Sequence, residues 1–186
     1  MTNGCILQTL LLLCFSTTAL SISYKALRLY QSSGSVTCQE LLLQLNVRLR
    51  PCLEDRINFK LPEKIKHQQQ FKKKDAAFLI HEMLQNIFSV FTNDFSSTGW
   101  NKTIVENLFG ELHKQMDRLE TILKEKPEES LAWRNSMAIL HLKSYYRRLQ
   151  RYLKDKEYSS CAWMVVRAEI MRNFPIISKL TDCFQN

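Results

Sequence analysis

The strongest constraint on this chain is a three-four spacing of apolar side chains that recurs along it, the period of an α-helix burying one face. Five such stripes follow one another. The first holds Cys38, Leu41, Leu42, Leu45 and Leu49 and is closed by Pro51. The second holds Ala76, Ile80, Met83, Leu84, Ile87 and Phe91, with Asp75 as its expected N-cap. The third runs through Val105, Leu108, Leu112, Met116, Leu119 and Leu123, opened by the turn residues Ser96-Ser97-Thr98-Gly99 and closed before Pro127. The fourth is Ala138, Leu142, Tyr145, Leu149 and Tyr152. The fifth is Trp163, Val166, Ile170, Phe174 and Ile177, opened by Ser159-Ser160. Only 4 Gly and 4 Pro occur in 186 residues, too few turn-formers for a sheet of many short strands. The expected fold class is all-α. Periodicity does not fix where the first helix starts, because Ser32-Ser33-Gly34-Ser35 interrupts the pattern.

Connection lengths suggest how these helices are arranged. The last three links are short, which favours antiparallel neighbours. Between the first two helices lie more than twenty residues, with Pro51 and Pro62 and no sustained period. A stretch of that kind can travel the length of a helix at roughly 3.3 Å per residue, so the first two helices can run parallel. The directions are then up, up, down, up, down. The first, second, third and fifth helices form a four-helix bundle with a long first crossover, and the fourth packs within the link from third to fifth.

Residues 1–21 read as a segment apart. They carry no charged side chain, hold an apolar run from Cys5 to Phe15, and end in Thr18-Ala19-Leu20-Ser21. Small residues at that spacing fit a secretory signal peptide, and the run falls short of the roughly 20 residues that span a bilayer. The expectation is a removed leader at 1–21 and one secreted, extracellular domain at 22–186, with no membrane insertion. A formal charge of +8 stays on that domain, since the leader is uncharged. Lys72-Lys73-Lys74 is its only triple of cations, so the charge reads as spread out. Weak, salt-sensitive attraction to acidic glycans or receptor surfaces is the expected consequence, and export argues against nucleic acid as a partner.

After the leader the cysteines are Cys38, Cys52, Cys161 and Cys183, and export makes disulfides expected. Cys161 and Cys183 flank the last helix about 30 Å apart, whereas a bridge needs Cα atoms within about 7 Å. Cys38 and Cys52 fail in the same way along the first helix. An antiparallel first and last helix brings Cys52 beside Cys161. Cys38 is then either paired with Cys183 or a buried thiol, which leaves Cys183 open as well.

No catalytic constellation emerges. There is no phosphate-cradling glycine loop, no Cys-x-x-Cys and no Gly-x-Ser-x-Gly turn. His81-Glu82 begins a zinc-protease motif, but Gln85 stands where the second His would be. His67, His81, His113 and His141 lack mutual ligand spacing, so no metal, cofactor or enzymatic activity is expected. Asn101-Lys102-Thr103 is the only N-glycosylation sequon and falls at the start of the third helix.

Several strings point further. Cys52 to Phe59 reads C-L-E-D-R-I-N-F, and Glu82 to Phe88 reads E-M-L-Q-N-I-F. Ser96 to Leu108 reads S-S-T-G-W-N-K-T-I-V-E-N-L, Tyr152 to Trp163 reads Y-L-K-D-K-E-Y-S-S-C-A-W, and Val166 to Phe174 reads V-R-A-E-I-M-R-N-F. Across essentially its whole length the chain resembles the type I interferon family. The resemblance implies a five-helix bundle acting as a monomeric cytokine that bridges the two chains of the type I interferon receptor. Janus kinase/STAT signalling would follow, with antiviral, antiproliferative and immunomodulatory outputs. It implies a Cys52–Cys161 bridge, in agreement with the geometry. It also implies a high-affinity receptor surface at Leu53, Arg56, Arg167, Ala168, Met171 and Arg172, and a lower-affinity surface that includes Phe88 and Lys143. The alternatives are another class of helical cytokine or a basic secreted bundle that binds glycans. Two residues depart from the family pattern. Pro175 should end or kink the last helix near Phe174, and Cys183 is an additional cysteine.

Overall fold

The computed structural model describes residues 23–45, 52, 57–66, 71–125 and 136–185. The leader at 1–21, Leu49, Pro51, Leu53, Arg56, His67 and Pro127 lie outside those residues. Six helices carry the fold: α1 (Tyr24–Gln44), α2 (Lys73–Phe91), α3 (Lys102–Glu125), α4 (Met137–Asp155), α5 (Ser160–Met171) and α6 (Phe174–Asp182). A single helical turn at Glu63–Lys66 and a 3-10 turn at Ser96–Thr98 complete the described structure, and no strand occurs among the described residues.

Side-chain contacts give the direction of each helix. Lys73 at the start of α2 lies over the ring of Tyr24 at the start of α1, so these two run parallel. Arg118 stacks on Tyr30, while Gln115 bonds both Gln31 and Cys38, so α3 runs against α1. Glu82 meets Lys143 and Ser89 meets Gln150, so α4 runs alongside α2. Arg28 meets Asp182 near one end of α1 and Arg167 meets Leu42 near the other, so α5 and α6 run against α1. The order is up, up, down, up, down, as the connection lengths imply.

The second and fifth stripes form the heart of the core, where every member has no accessible surface. At one end Phe91, Trp100 and Trp163 cluster, with Trp100 and Trp163 centroids 5.4 Å apart. The indole of Trp163 donates to the Asp94 carbonyl at 2.7 Å, which fastens the α2–α3 turn to α5. Tyr152 is only half-buried, and its ring meets the edge of Phe59 from the crossover at 5.4 Å.

One point that periodicity leaves open is settled, and one expectation needs correction. Helix α1 runs unbroken through Ser32-Ser33-Gly34-Ser35, starting at Ser23, whose hydroxyl accepts the Ala26 N–H at 3.2 Å. The small residues mark a close helix crossing and not a boundary. A Cβ on Gly34 would sit 2.6 Å from Gln115 Cδ and 2.7 Å from Glu111 Oε1. Asp75 is not the N-cap of α2. That position is Lys72, and Asp75 stands at the third helical residue, its carboxylate accepting the Lys72 backbone N–H at 3.4 Å.

At Pro175 the expectation holds. Helix α5 stops at Met171, Arg172 and Asn173 form a turn, and α6 restarts with Pro175 in its first turn. Proline has no N–H to offer an interior helical bond but is tolerated in a first turn, where the donor would be unpartnered anyway. The Asn173 carbonyl accepts from both Ile176 and Ile177 at 3.0 Å and opens the new helix.

Candidate functional site

The site grows from a covalent clip. Cys52 and Cys161 are bridged with Cα atoms 5.5 Å apart, which ties the crossover to the first turn of α5. Ser159 caps that turn, its hydroxyl accepting the Ala162 N–H at 3.4 Å. The bridge closes a loop of 109 residues. In the chain-entropy account, loops of about that length gain about 4–5 kcal/mol against the unfolded state. The other two cysteines of the described chain remain thiols. Burial pushes the Cys38 thiol up to about 12.

Along α5 the four residues predicted to form one receptor-facing edge separate into two kinds. Ala168 and Arg172 are exposed, whereas Arg167 and Met171 are half-buried. Arg167 turns inward and donates through one guanidinium nitrogen to the Leu42 carbonyl at 2.6 Å. That carbonyl is one of the last four in α1, which have no partner within the helix. Arg167 therefore acts as a C-cap for α1, and its burial lowers its pKa from the ordinary arginine value. Met171 packs against the core from the helix edge. The family resemblance implies a receptor-facing role for both Arg167 and Met171; the structure makes both partly structural.

Arg172 is the most exposed cation of the group, yet it is positioned. Its guanidinium meets the Glu169 carboxylate at 3.0 Å, and that carboxylate is buried. Tyr145 on α4 donates to the other Glu169 oxygen at 3.0 Å, and the Asn173 amide donates to the Tyr145 oxygen at 3.0 Å. Tyr146 donates to the Asn173 side-chain oxygen at 3.1 Å. Burial raises both phenols well above their ordinary range. Sequence reasoning missed Glu169 because a carboxylate beside an arginine normally signals a solvated surface. It also missed Leu43, an exposed apolar side chain next to the carbonyl that Arg167 holds.

Phe88 and Lys143 lie on two different seams of α2. Phe88 is half-buried against Phe109 of α3, ring centroids 4.8 Å apart. Lys143 is paired to Glu82 at 3.3 Å across the α2–α4 seam. Asn101 is exposed and caps α3, its side-chain oxygen accepting the Thr103 N–H at 2.9 Å. No helix among the described residues is long and apolar enough to cross a membrane.

A four-helix frame with a long first crossover, a parallel first pair and an extra helix in the last link is the architecture of a helical cytokine. A sequence model of the interferon alpha/beta domain matches residues 27–184. Interferon beta of Macaca fascicularis is 58% identical over 187 residues, covering 100% of both chains. Interferon beta of Homo sapiens is 57% identical over the same span, and that of Mus musculus 56% identical over 186 residues, again covering 100% of both chains. Among solved structures, zebrafish interferon 2 superposes with a TM-score of 0.65 at 22% identity, covering 79% of this chain and 96% of that one; it supports the fold alone. The chain belongs to the interferon alpha/beta family, whose members are cytokines and not enzymes.

Proposed function

We propose that the chain is exported after loss of residues 1–21, is glycosylated at Asn101, and acts as a monomer that bridges the two chains of the type I interferon receptor to start Janus kinase/STAT signalling. The observation that carries this reading is the Cys52–Cys161 clip, which holds the crossover against α5, where Ala168 and the Glu169-anchored Arg172 face solvent. Arg56 follows Cys52 by four residues in the same loop. A loop restrained by a disulfide loses less entropy on docking, and arginine's planar fork suits bidentate recognition.

Receptor binding and stability measured side by side test the assignment. Arg56→Ala is expected to weaken binding to the high-affinity receptor chain by about 3 kcal/mol, more than a hundredfold, with Tm unchanged. Arg167→Ala should lower both affinity and Tm, because the α1 cap goes with it. An unchanged Kd for Arg56→Ala removes that surface from the proposal. An antiviral assay that is indifferent to a receptor-blocking antibody removes the function.

A further inference from the structure

The structure gathers onto one helix face part of the positive charge that the sequence spreads along its length. Along the solvent side of α4, Arg147, Arg148, Arg151 and Lys154 are all exposed, with Asp155 the acid among them. Their spacing of three and four residues puts them on one side over about 10 Å of helix. The crossover extends this face. Arg148 donates to the Phe59 carbonyl at 2.8 Å and to the Lys60 carbonyl at 3.2 Å, and Phe59 rests on Tyr152. The Asn58 side chain accepts the Lys60 N–H at 2.9 Å, in a turn where Lys60 has φ 54°, so Lys60 is held beside α4 and exposed.

Helix α3 provides the contrast. Its Lys102, Lys114 and Lys124 are each paired along the helix, to Glu106, Glu111 and Glu120, at 3.3–3.7 Å. Among the described residues no carboxylate stands within ion-pair distance of Arg147, Arg151, Lys154 or Lys60. An array of unneutralised cations, partly preset by the Arg148 tether, attracts a polymer bearing closely spaced anions, and releases that polymer's counterions on binding.

We propose that this α4–crossover face is a docking surface for a sulfated glycosaminoglycan, separate from the receptor-binding residues named above. Sulfate esters offer several oxygens to guanidinium forks, which favour planar polydentate partners. The binding requires neither receptor chain, so it can be measured whether or not the receptor reading holds.

The test uses the full secreted chain on immobilised heparin. Arg147→Gln, Arg151→Gln and Lys154→Gln are combined in one variant, and Lys102→Gln, Lys114→Gln and Lys124→Gln in another of identical net charge. The α4 variant should bind at least roughly tenfold more weakly, with a shallower dependence of log K on log salt. The α3 variant should stay within roughly twofold of the wild-type chain. Both should keep the helical circular dichroism and Tm of the parent, because the replaced side chains are exposed. Equal loss in the two variants would mean that net charge alone drives binding and would overturn the site. Undiminished binding to desulfated heparin, or capture by phosphatidylserine vesicles without capture by heparin, would overturn the ligand class.

Discussion

The seam between α1 and α3 and the seam between α4 and the α5–α6 break both bury polar side chains, yet they are built in opposite ways. The α1–α3 seam is made of small groups. Gly34 lets the helices close in, and Gln31 donates to Gln115 at 2.5 Å, while Gln115 donates to the Cys38 sulfur at 3.3 Å. The other seam is made of large ones, with two tyrosines packed edge to face reaching across to Glu169 and Asn173. The buried part of the first seam ends at Gln115 and serves packing. The second ends at Arg172, on the proposed receptor edge, so packing there also positions a binding side chain.

The largest expected effect falls on the tight seam. Gly34→Leu places a side chain where Gln115 and Glu111 already stand. Overpacking costs about 1–3 kcal/mol, and displacing Gln115 forfeits two buried hydrogen bonds at about 1 kcal/mol each. A total of about 4 kcal/mol is expected in chemical denaturation. Receptor affinity, measured where the variant remains folded, should be preserved. A loss below about 1 kcal/mol would show that the helices can separate without penalty, and the contrast between the seams would fail.

The seams also mark where the sequence stops being legible. The apolar stripes locate the helices because transfer from water dominates those positions, and the fifth stripe is buried from Trp163 to Ile177. The bridge at Cys52–Cys161 follows once the crossover length sets the direction of the second helix. The α1–α3 crossing is not legible, since Ser32-Ser33-Gly34-Ser35 has the composition of a loop and only the partner helix makes it helical. Arg167 and Glu169 mislead for a similar reason. Charged residues beside a core stripe normally face water, and nothing local shows that one caps a distant helix and the other lies under a tyrosine. The surface charge on α4 is invisible in composition, because the pairing that silences α3 depends on spacing.

A middle-sized effect is expected on the second seam. Tyr145→Phe removes the hydroxyl that bonds Glu169 and accepts from Asn173, leaving a buried carboxylate oxygen short of a donor. About 2 kcal/mol of stability should be lost, roughly 4–8 °C in Tm for a chain of this size. Unlike Gly34→Leu, this variant should also weaken receptor binding, by about 1 kcal/mol, because Glu169 no longer holds Arg172 as firmly. Affinity loss in the glycine variant and none in the tyrosine variant would reverse the proposed division of labour.

The smallest effect separates the seams by pH. The Cys38 thiol is pushed up to about 12 from an ordinary value of 9.0 by burial, with the Gln115 hydrogen bond opposing the rise and Glu111 adding to it. Above pH 9 the unfolded chain releases this proton while the folded chain keeps it, so stability falls as pH rises, by about 1.4 kcal/mol per unit at most. The slope is at half its maximum at pH 9 and fades by about pH 8. The tyrosines of the other seam start from an ordinary value of 10.0, so their contribution begins about one unit higher and overlaps the upper end of the thiol's range. Between pH 9 and 10 the Cys38 thiol alone accounts for about 1 kcal/mol. Cys183 is also raised by burial, but it is common to the parent and to Cys38→Ala, so the difference between their denaturation curves isolates Cys38. The Cys38→Ala curve should be flatter across that window, and at pH 8 a maleimide should label Cys38 only after denaturation. Parallel curves with rapid native labelling would mean that water reaches the crossing at Gly34, and the seam would then owe its stability to something other than close approach.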